Sequence, residues 1–157
     1  AKLAPAQLLV ITGGEPFRQS ELCILVMAVL VLCPDLCIQI ETNGTLCPND
    51  FPFDLVSIVC SPKTRSINDR LAPHVTAWKY IIEAGKVDPQ DGLPTDSLNF
   101  GQAPYRPAYF NPPDIYVQPL DSFDPDKNLA NRQAAVESCL QFGYTLSLQL
   151  HKLLGLE

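Results

Sequence analysis

Thr12-Gly13-Gly14-Glu15-Pro16 sets two glycines and a carboxylate directly after an apolar run, a combination suited to a ligand that carries an amine. Glycine lets backbone approach a ligand closely, and a carboxylate accepts a charge-assisted hydrogen bond from an ammonium group. Other polar groups follow other apolar runs: Glu41-Thr42-Asn43-Gly44-Thr45, Ser61-Pro62-Lys63, Gln118-Pro119 and His151-Lys152, while Lys79 lies inside one of the runs. Each also has an ordinary structural explanation. Gly13-Gly14 and Asn43-Gly44 are turn chemistry, and Glu15 suits the first turn of a helix. Glu41 and Lys63 can pair as buried ions, and Gln118 can satisfy a neighbouring backbone group. A lone His151 is most often a plain surface or core histidine, and His74, in a turn with proline, has no evident role. Their shared position after the runs says more than any one of them.

The runs themselves read as strands. Gln7 to Thr12 is continuous and apolar, as expected of a parallel strand covered on both faces; residues 36–41, 54–60, 76–82, 115–118 and 144–150 are further candidates. Between the first two, Ser20 to Cys33 predicts a buried helix with Ser20 as N-cap and Pro34 just beyond its end. A second helix is predicted over 128–142, capped by Asn128, with Ala130, Ala134, Cys139 and Leu140 toward a core and Gly143 as terminator. A short last helix begins at His151. This alternation implies an α/β fold with a mainly parallel sheet, in which the carboxyl ends of the strands form the ligand-binding face. Residues 86–113, rich in proline, form a long irregular insertion, better suited to a surface excursion than to a functional flap.

With 157 residues, 46% of them apolar, the chain fits one domain with a sizeable core. A net charge of −6 with no basic block disfavours nucleic acid as a partner. The uncharged stretch from Leu22 to Cys33 is short of the roughly 20 residues needed to cross a bilayer, so no membrane role is expected. Six cysteines without a visible signal peptide suggest reduced, inert thiols and a cytoplasmic protein. Cys33 and Cys37, with Cys47 and Cys60, lack the paired short knuckles of a zinc site, and no third cysteine completes an iron–sulfur loop. No metal ligand or catalytic residue is assigned, and neither a P-loop nor a nucleophile elbow is present.

Five ordered blocks carry a family likeness: Val10 to Phe17, Gln39 to Thr45, Cys60-Ser-Pro-Lys63, Ile115 to Leu120 and Gly143 to Lys152. Together they resemble the 7-carboxy-7-deazaguanine synthases of the radical S-adenosylmethionine superfamily, over nearly the whole chain. The Gly-Gly-Glu-Pro element alone is similar to that superfamily at large, whereas the Ser-Pro-Lys, Gln-Pro and Leu-Gln-Leu-His-Lys blocks are more specific.

The resemblance implies a partial, modified β/α barrel in which S-adenosylmethionine and a [4Fe-4S] cluster generate a 5′-deoxyadenosyl radical, with Mg²⁺ assisting. Its substrate would be 6-carboxytetrahydropterin, contracted with loss of ammonia on the route to queuosine and related deazapurines. By position, Gly13, Gly14 and Glu15 would hold the amino group of the methionyl moiety, and Glu41, Ser61, Lys63 and Gln118 its ribose and carboxylate. Thr12 and His151 would face the pterin, and Glu157 would belong to a tail that closes over it. A homodimer is likewise implied. The family's cluster-binding cysteines precede the strand bearing Gly-Gly-Glu, so the chain is expected to be the carboxyl-terminal portion of such an enzyme, inactive alone. The rival expectations are a cluster-free module that binds S-adenosylmethionine or pterin, and a different β/α-barrel lyase.

Overall fold

A computed structural model describes residues 6–97, 101–107 and 114–155. Among these residues six strands lie in one sheet in sequence order: β1 (Leu8–Ile11), β2 (Cys37–Thr42), β3 (Ser57–Cys60), β4 (Ala77–Ile82), β5 (Asp114–Pro119) and β6 (Thr145–Leu146). Every described pairing is parallel, so the fold is α/β with a parallel sheet, as the alternation implied. Among the described residues three α-helices accompany the strands: α1 (Leu22–Leu32), α2 (Pro125–Phe142) and α3 (Leu150–Leu154). The chain divides into two compact units, Ala1–Pro62 with Ser66–Trp78, and Lys63–Arg65 with Lys79–Glu157.

In the first unit, Ile38, Ile40 and Thr42 occupy alternate positions of β2 and are buried, which leaves Cys37, Gln39 and Glu41 on the other face. Ile58, Cys60 and Leu71 complete this core. Beside it, Phe17, Phe51 and Phe53 pack edge to face or tilted at centroid distances of 5.0 to 6.0 Å. His74 stacks on Phe53 at 4.2 Å, a structural use for a residue that its sequence context left without one.

Two expectations fail here. The first strand is not covered on both faces, because Leu8 and Val10 are exposed. Nor is α1 a buried helix: only Leu22 and Val26 are buried, while Ile24, Leu25, Met27, Val31 and Leu32 face outward. Apolarity all round the helix hid which side packs, since a uniform stripe carries no phase. Its N-cap is Glu21, without a capping side-chain bond, and Ser20 instead donates its hydroxyl proton to the Glu21 carboxylate at 3.1 Å.

In the second unit, Tyr80, Ile82, Val117, Leu93 and Ala135 form the core. Helix α2 starts three residues earlier than the sequence indicated, because Asp124 caps it by accepting from the backbone N–H groups of Asp126 and Lys127. Asn128 accepts instead from the N–H and hydroxyl of Ser122. The buried face is Asn131, Ala135 and Ser138, and Leu140 is exposed, so the inward stripe predicted from Ala130, Ala134, Cys139 and Leu140 is misphased. Asn131 explains the slip. Its amide accepts from the Ala84 N–H and donates to the Leu120 carbonyl, both at 2.8 Å, so a polar residue rather than an apolar one ties the helix to the ends of β4 and β5. Gly143 ends α2 in the left-handed conformation, as expected. The last strand is also shorter than 144–150, being two residues long.

Part of the described 86–113 insertion is buried. Val87 bridges Pro94, and Gly92, Leu93 and Pro94 are buried. Arg106 donates to the Asp91 carboxylate at 2.7 Å and to the Pro94 carbonyl at 3.0 Å. The Tyr144 hydroxyl donates to the Asp91 carbonyl at 2.6 Å. These bonds tie the described part of the insertion to Tyr144 of the second unit.

Candidate functional site

The site in the first unit is built where β1, β2 and β3 end. After β1 the backbone turns through Gly13 (φ +98°) and Gly14 (φ +52°), both in the region that disfavours side chains, and a Cβ at either would meet nothing within 4 Å. The turn delivers Glu15, whose Oε1 accepts from the Phe17 N–H at 3.1 Å and from the Thr42 hydroxyl at 2.7 Å. Its Oε2 accepts from the Asn43 N–H at 2.8 Å. Three donors thus fix a carboxylate with room for about four, which leaves acceptor capacity on Oε2 beside the open glycines. Glu15 also N-caps the short 3₁₀ helix Pro16–Arg18, the structural role its position suggested.

Thr42 and Asn43 are the residues that sequence reasoning left out of the site. Thr42 is buried, donates to Glu15 and accepts from the Gly44 N–H at 3.1 Å. The signal was present in the strand alternation, which makes Thr42 a polar residue on the buried face of β2 and therefore one in need of polar partners. Gly44 has φ +83°, and a Cβ there would lie 2.7 Å from both Cys60 Sγ and Ile67 Cγ2.

Glu41 lies on the opposite face of β2 from Thr42. Its carboxylate accepts from the Thr12 hydroxyl and from the Gln39 amide, each at 3.4 Å. The structure thus joins Thr12 to Glu41 and Glu15 to Thr42, rather than gathering Glu15 and Glu41 onto one partner. Ser61 continues the ladder after β3 by donating its N–H to the Thr42 carbonyl at 2.8 Å. Its hydroxyl oxygen is buried with no hydrogen-bond partner, an atom that a ligand's polar group would satisfy.

Lys63, Gln118 and His151 belong to the second unit. Lys63 is half-buried in a segment held by the Tyr105 N–H, which donates to the Thr64 carbonyl at 2.7 Å. Gln118 is half-buried one residue before the end of β5. His151 is exposed on α3, and Glu157 lies outside the described residues. Lys152, on the same helix, donates to the Asp121 carboxylate at 2.7 Å. That bond, with further donors from the Phe123 backbone and Asn128, holds the Asp121 carboxyl down at about 2. A cleft of about 270 Å³ opens beside this pair, lined also by Arg132, Gln149 and Leu153.

The residues fit one of the implied groups and not another. Open backbone at Gly13 and Gly14, spare capacity on Glu15 and the unpartnered Ser61 hydroxyl suit the amino acid end of S-adenosylmethionine. A [4Fe-4S] cluster or Mg²⁺ finds no matching ligand set: among the described residues no three His, Cys, Asp or Glu side chains converge. Among the described residues no two cysteines form a disulfide; Cys60 is buried, whereas Cys33 and Cys37 are exposed. No helix of the described residues is long and apolar enough to cross a membrane.

Comparison with known proteins follows the five sequence blocks. The chain is 46% identical to the 7-carboxy-7-deazaguanine synthase of Rhodospirillum rubrum, across 94% of the chain and 64% of that protein. It is 40% identical to the synthase of the same name from Rickettsia prowazekii, across 96% of the chain and 59% of the relative. For the one from Caulobacter vibrioides the figures are 34%, 96% and 60%. The chain therefore spans about three-fifths of the length of these curated relatives. No family model matches it, and no solved structure does.

Proposed function

We propose that this chain, which belongs by its sequence to the 7-carboxy-7-deazaguanine synthase family, carries the part of a radical S-adenosylmethionine synthase that grips the cofactor's amino acid end. The whole enzyme would convert 6-carboxytetrahydropterin into 7-carboxy-7-deazaguanine and ammonia, feeding queuosine and related deazapurines. The observation that carries this reading is the Glu15 carboxylate, held rigidly by three donors at the mouth of the Gly13-Gly14 turn with one acceptor position to spare. In this reading Glu15 accepts from the cofactor's ammonium group, and the Ser61 hydroxyl and Lys63 take its carboxylate or ribose oxygens, with Glu41 and Gln118. Thr12 and His151 face the pterin, and Glu157 belongs to the closing tail. S-adenosylmethionine supplies the radical chemistry when bound with its cluster. No step is assigned to that cluster, because the described cysteines do not fit it. In this reading turnover needs the portion of the relatives that this chain does not span, and the full enzyme is a cytoplasmic homodimer that acts on a small molecule and not on nucleic acid.

A chimera tests the reading. Residues 1–157 replace the matching portion of the Rhodospirillum rubrum synthase, and 7-carboxy-7-deazaguanine is quantified after reconstitution. Product from the chimera and its loss in Glu15→Ala are expected, with S-adenosylmethionine affinity falling by about 1.5 to 3 kcal/mol. A folded chimera that binds S-adenosylmethionine but forms no product would favour the binding module instead.

A further inference from the structure

Arg106 is bound on several sides at once, and the chain next to it touches the segment that carries Lys63. We infer that Arg106 is a positioning residue for Lys63, and that through it the 86–113 insertion braces that segment. The inference rests on the reading in which Lys63 takes an oxygen of the cofactor, and every residue it uses lies in the second unit. Lys63, Thr64 and Arg65 belong to neither a strand nor a helix, so no ladder of backbone bonds fixes them. A bond from the insertion does reach them: the Tyr105 N–H donates to the Thr64 carbonyl at 2.7 Å.

Tyr105 is itself fixed from two directions. Its carbonyl accepts from the Tyr80 hydroxyl at 2.7 Å, and Tyr80 is a core residue of β4. The next residue, Arg106, spreads its guanidinium over three anchors: Nε donates to the Asp91 carboxylate at 2.7 Å, Nη2 to the Pro94 carbonyl at 3.0 Å and Nη1 to the Pro104 carbonyl at 3.2 Å. Its Cζ also lies 5.8 Å from the centre of the Tyr80 ring. The loop that supplies Asp91 is anchored in turn, since the Tyr144 hydroxyl donates to the Asp91 carbonyl at 2.6 Å and Ser138 of α2 donates to the Gly92 carbonyl. A planar fork meets a carboxylate and two carbonyls together, which the point charge of a lysine does not. Bonds therefore run without a gap from α2 and β4 through Asp91, Arg106 and Tyr105 to Thr64, the residue after Lys63. Ordering a long side chain and its loop as a ligand arrives costs affinity, and a brace that orders the loop beforehand lowers that cost.

The test uses the full-length chimera with the Rhodospirillum rubrum synthase, and reads amide exchange at residues 63–65 without cofactor, S-adenosylmethionine affinity and turnover at saturation. Arg106→Ala should speed exchange at 63–65 and weaken affinity about five- to tenfold, with turnover at saturation changed less than about twofold. Arg106→Lys keeps the charge opposite Asp91 and should still show most of both effects. Tyr80→Phe removes a single hydroxyl from a buried ring that stays in place, so it should give the same pattern more weakly and serves if Arg106→Ala does not fold. Lys86→Ala is the control: it breaks the ion pairs to Glu83 and Asp96 in another part of the insertion, and should change none of the three readings. Exchange at 63–65 that is unmoved in both Arg106→Ala and Tyr80→Phe would overturn the inference. Equal effects from Lys86→Ala would overturn it too, because Arg106 would then only stabilise the insertion. Lys63→Ala separates the brace from the reading beneath it. If that variant binds S-adenosylmethionine normally while Arg106→Ala still frees residues 63–65, the brace stands and the cofactor contact of Lys63 is the claim that falls.

Discussion

The turn that delivers Glu15 and the segment that carries His151 both place polar residues after a strand, yet they are held in opposite ways. Around Glu15 the holding groups are inside the molecule. The Thr42 side chain is buried, two of the three donors are backbone N–H groups, and the chain turns through Gly44 with no room for a side chain. Around His151 the holding group is a partly exposed ion pair, Lys152 to Asp121, on a helix of five residues with none of them buried. Buried donors to a carboxylate fix geometry before a ligand arrives, whereas an exposed ion pair is weak and screened by salt. The first arrangement suits a cofactor gripped in one pose, and the second suits a segment that adjusts around a substrate.

The largest effect is expected where the rigid side has no slack. Gly44→Ala forces a Cβ against Cys60 and Ile67 at a residue whose backbone is left-handed. A destabilisation of about 2 to 4 kcal/mol follows, read as a lowered urea midpoint at an unchanged slope. The same substitution at Gly13, where nothing lies within 4 Å, bears only the conformational cost of about 1 kcal/mol. Equal losses at the two positions would show that the turn after β2 is not tightly held.

Next comes Thr42→Val, which keeps the side chain's shape and removes the hydroxyl that donates to Glu15 and accepts from Gly44. A loss of about 1 to 3 kcal/mol is expected, because the carboxylate and a buried N–H each lose a partner. In the chimera the same change should weaken S-adenosylmethionine binding about tenfold with little effect on turnover at saturation. Unchanged affinity would reduce Thr42 to a packing residue and remove the contrast between the two regions.

How far the sequence reveals these regions follows from the same physics. The parallel strands and the polar residues at their ends are legible because continuous apolar runs and Gly-rich turns are local signals, and Gly143 ends α2 where its residue type says it should. The phase of α2 is not legible, since Asn131, a polar residue, serves as its inward anchor through two backbone bonds that exist only after β4 and β5 are in place. The outward face of α1 is hidden for the opposite reason, as every position on it is apolar. Within the site, Glu15 is found by its neighbours Gly13 and Gly14, while Thr42 needs the burial pattern of β2 to be recognised as its holder.

On the exposed side the effects are smaller. Lys152→Ala removes an ion pair whose side chains are 43% and 24% exposed, so only a small cost to global stability is expected. Its signature is local: faster amide exchange in α3, with α2 unaffected. Protection lost equally in both helices would show that α3 is integral to the core rather than adjustable.

The smallest effect, and the most specific, lies in acid. The Asp121 carboxyl titrates at about 2 in the folded protein against an ordinary value of 3.8, chiefly because Lys152 donates to it, with added help from the Phe123 backbone and Asn128. A depressed folded value means that the pair's contribution is fully present above about pH 4 and is lost as pH falls through about 2. α3 should therefore loosen and lose amide protection in that window. Carboxyl-detected NMR is expected to give a midpoint for Asp121 near 2 that rises in Lys152→Ala yet stays below 3.8, since two of the three donors remain. Added salt should raise the midpoint of the unsubstituted chain, because the lysine charge is screened. A midpoint that does not move on removing Lys152 would mean that the backbone and Asn128 alone hold the carboxylate, and the two regions would then be fixed by the same kind of bond.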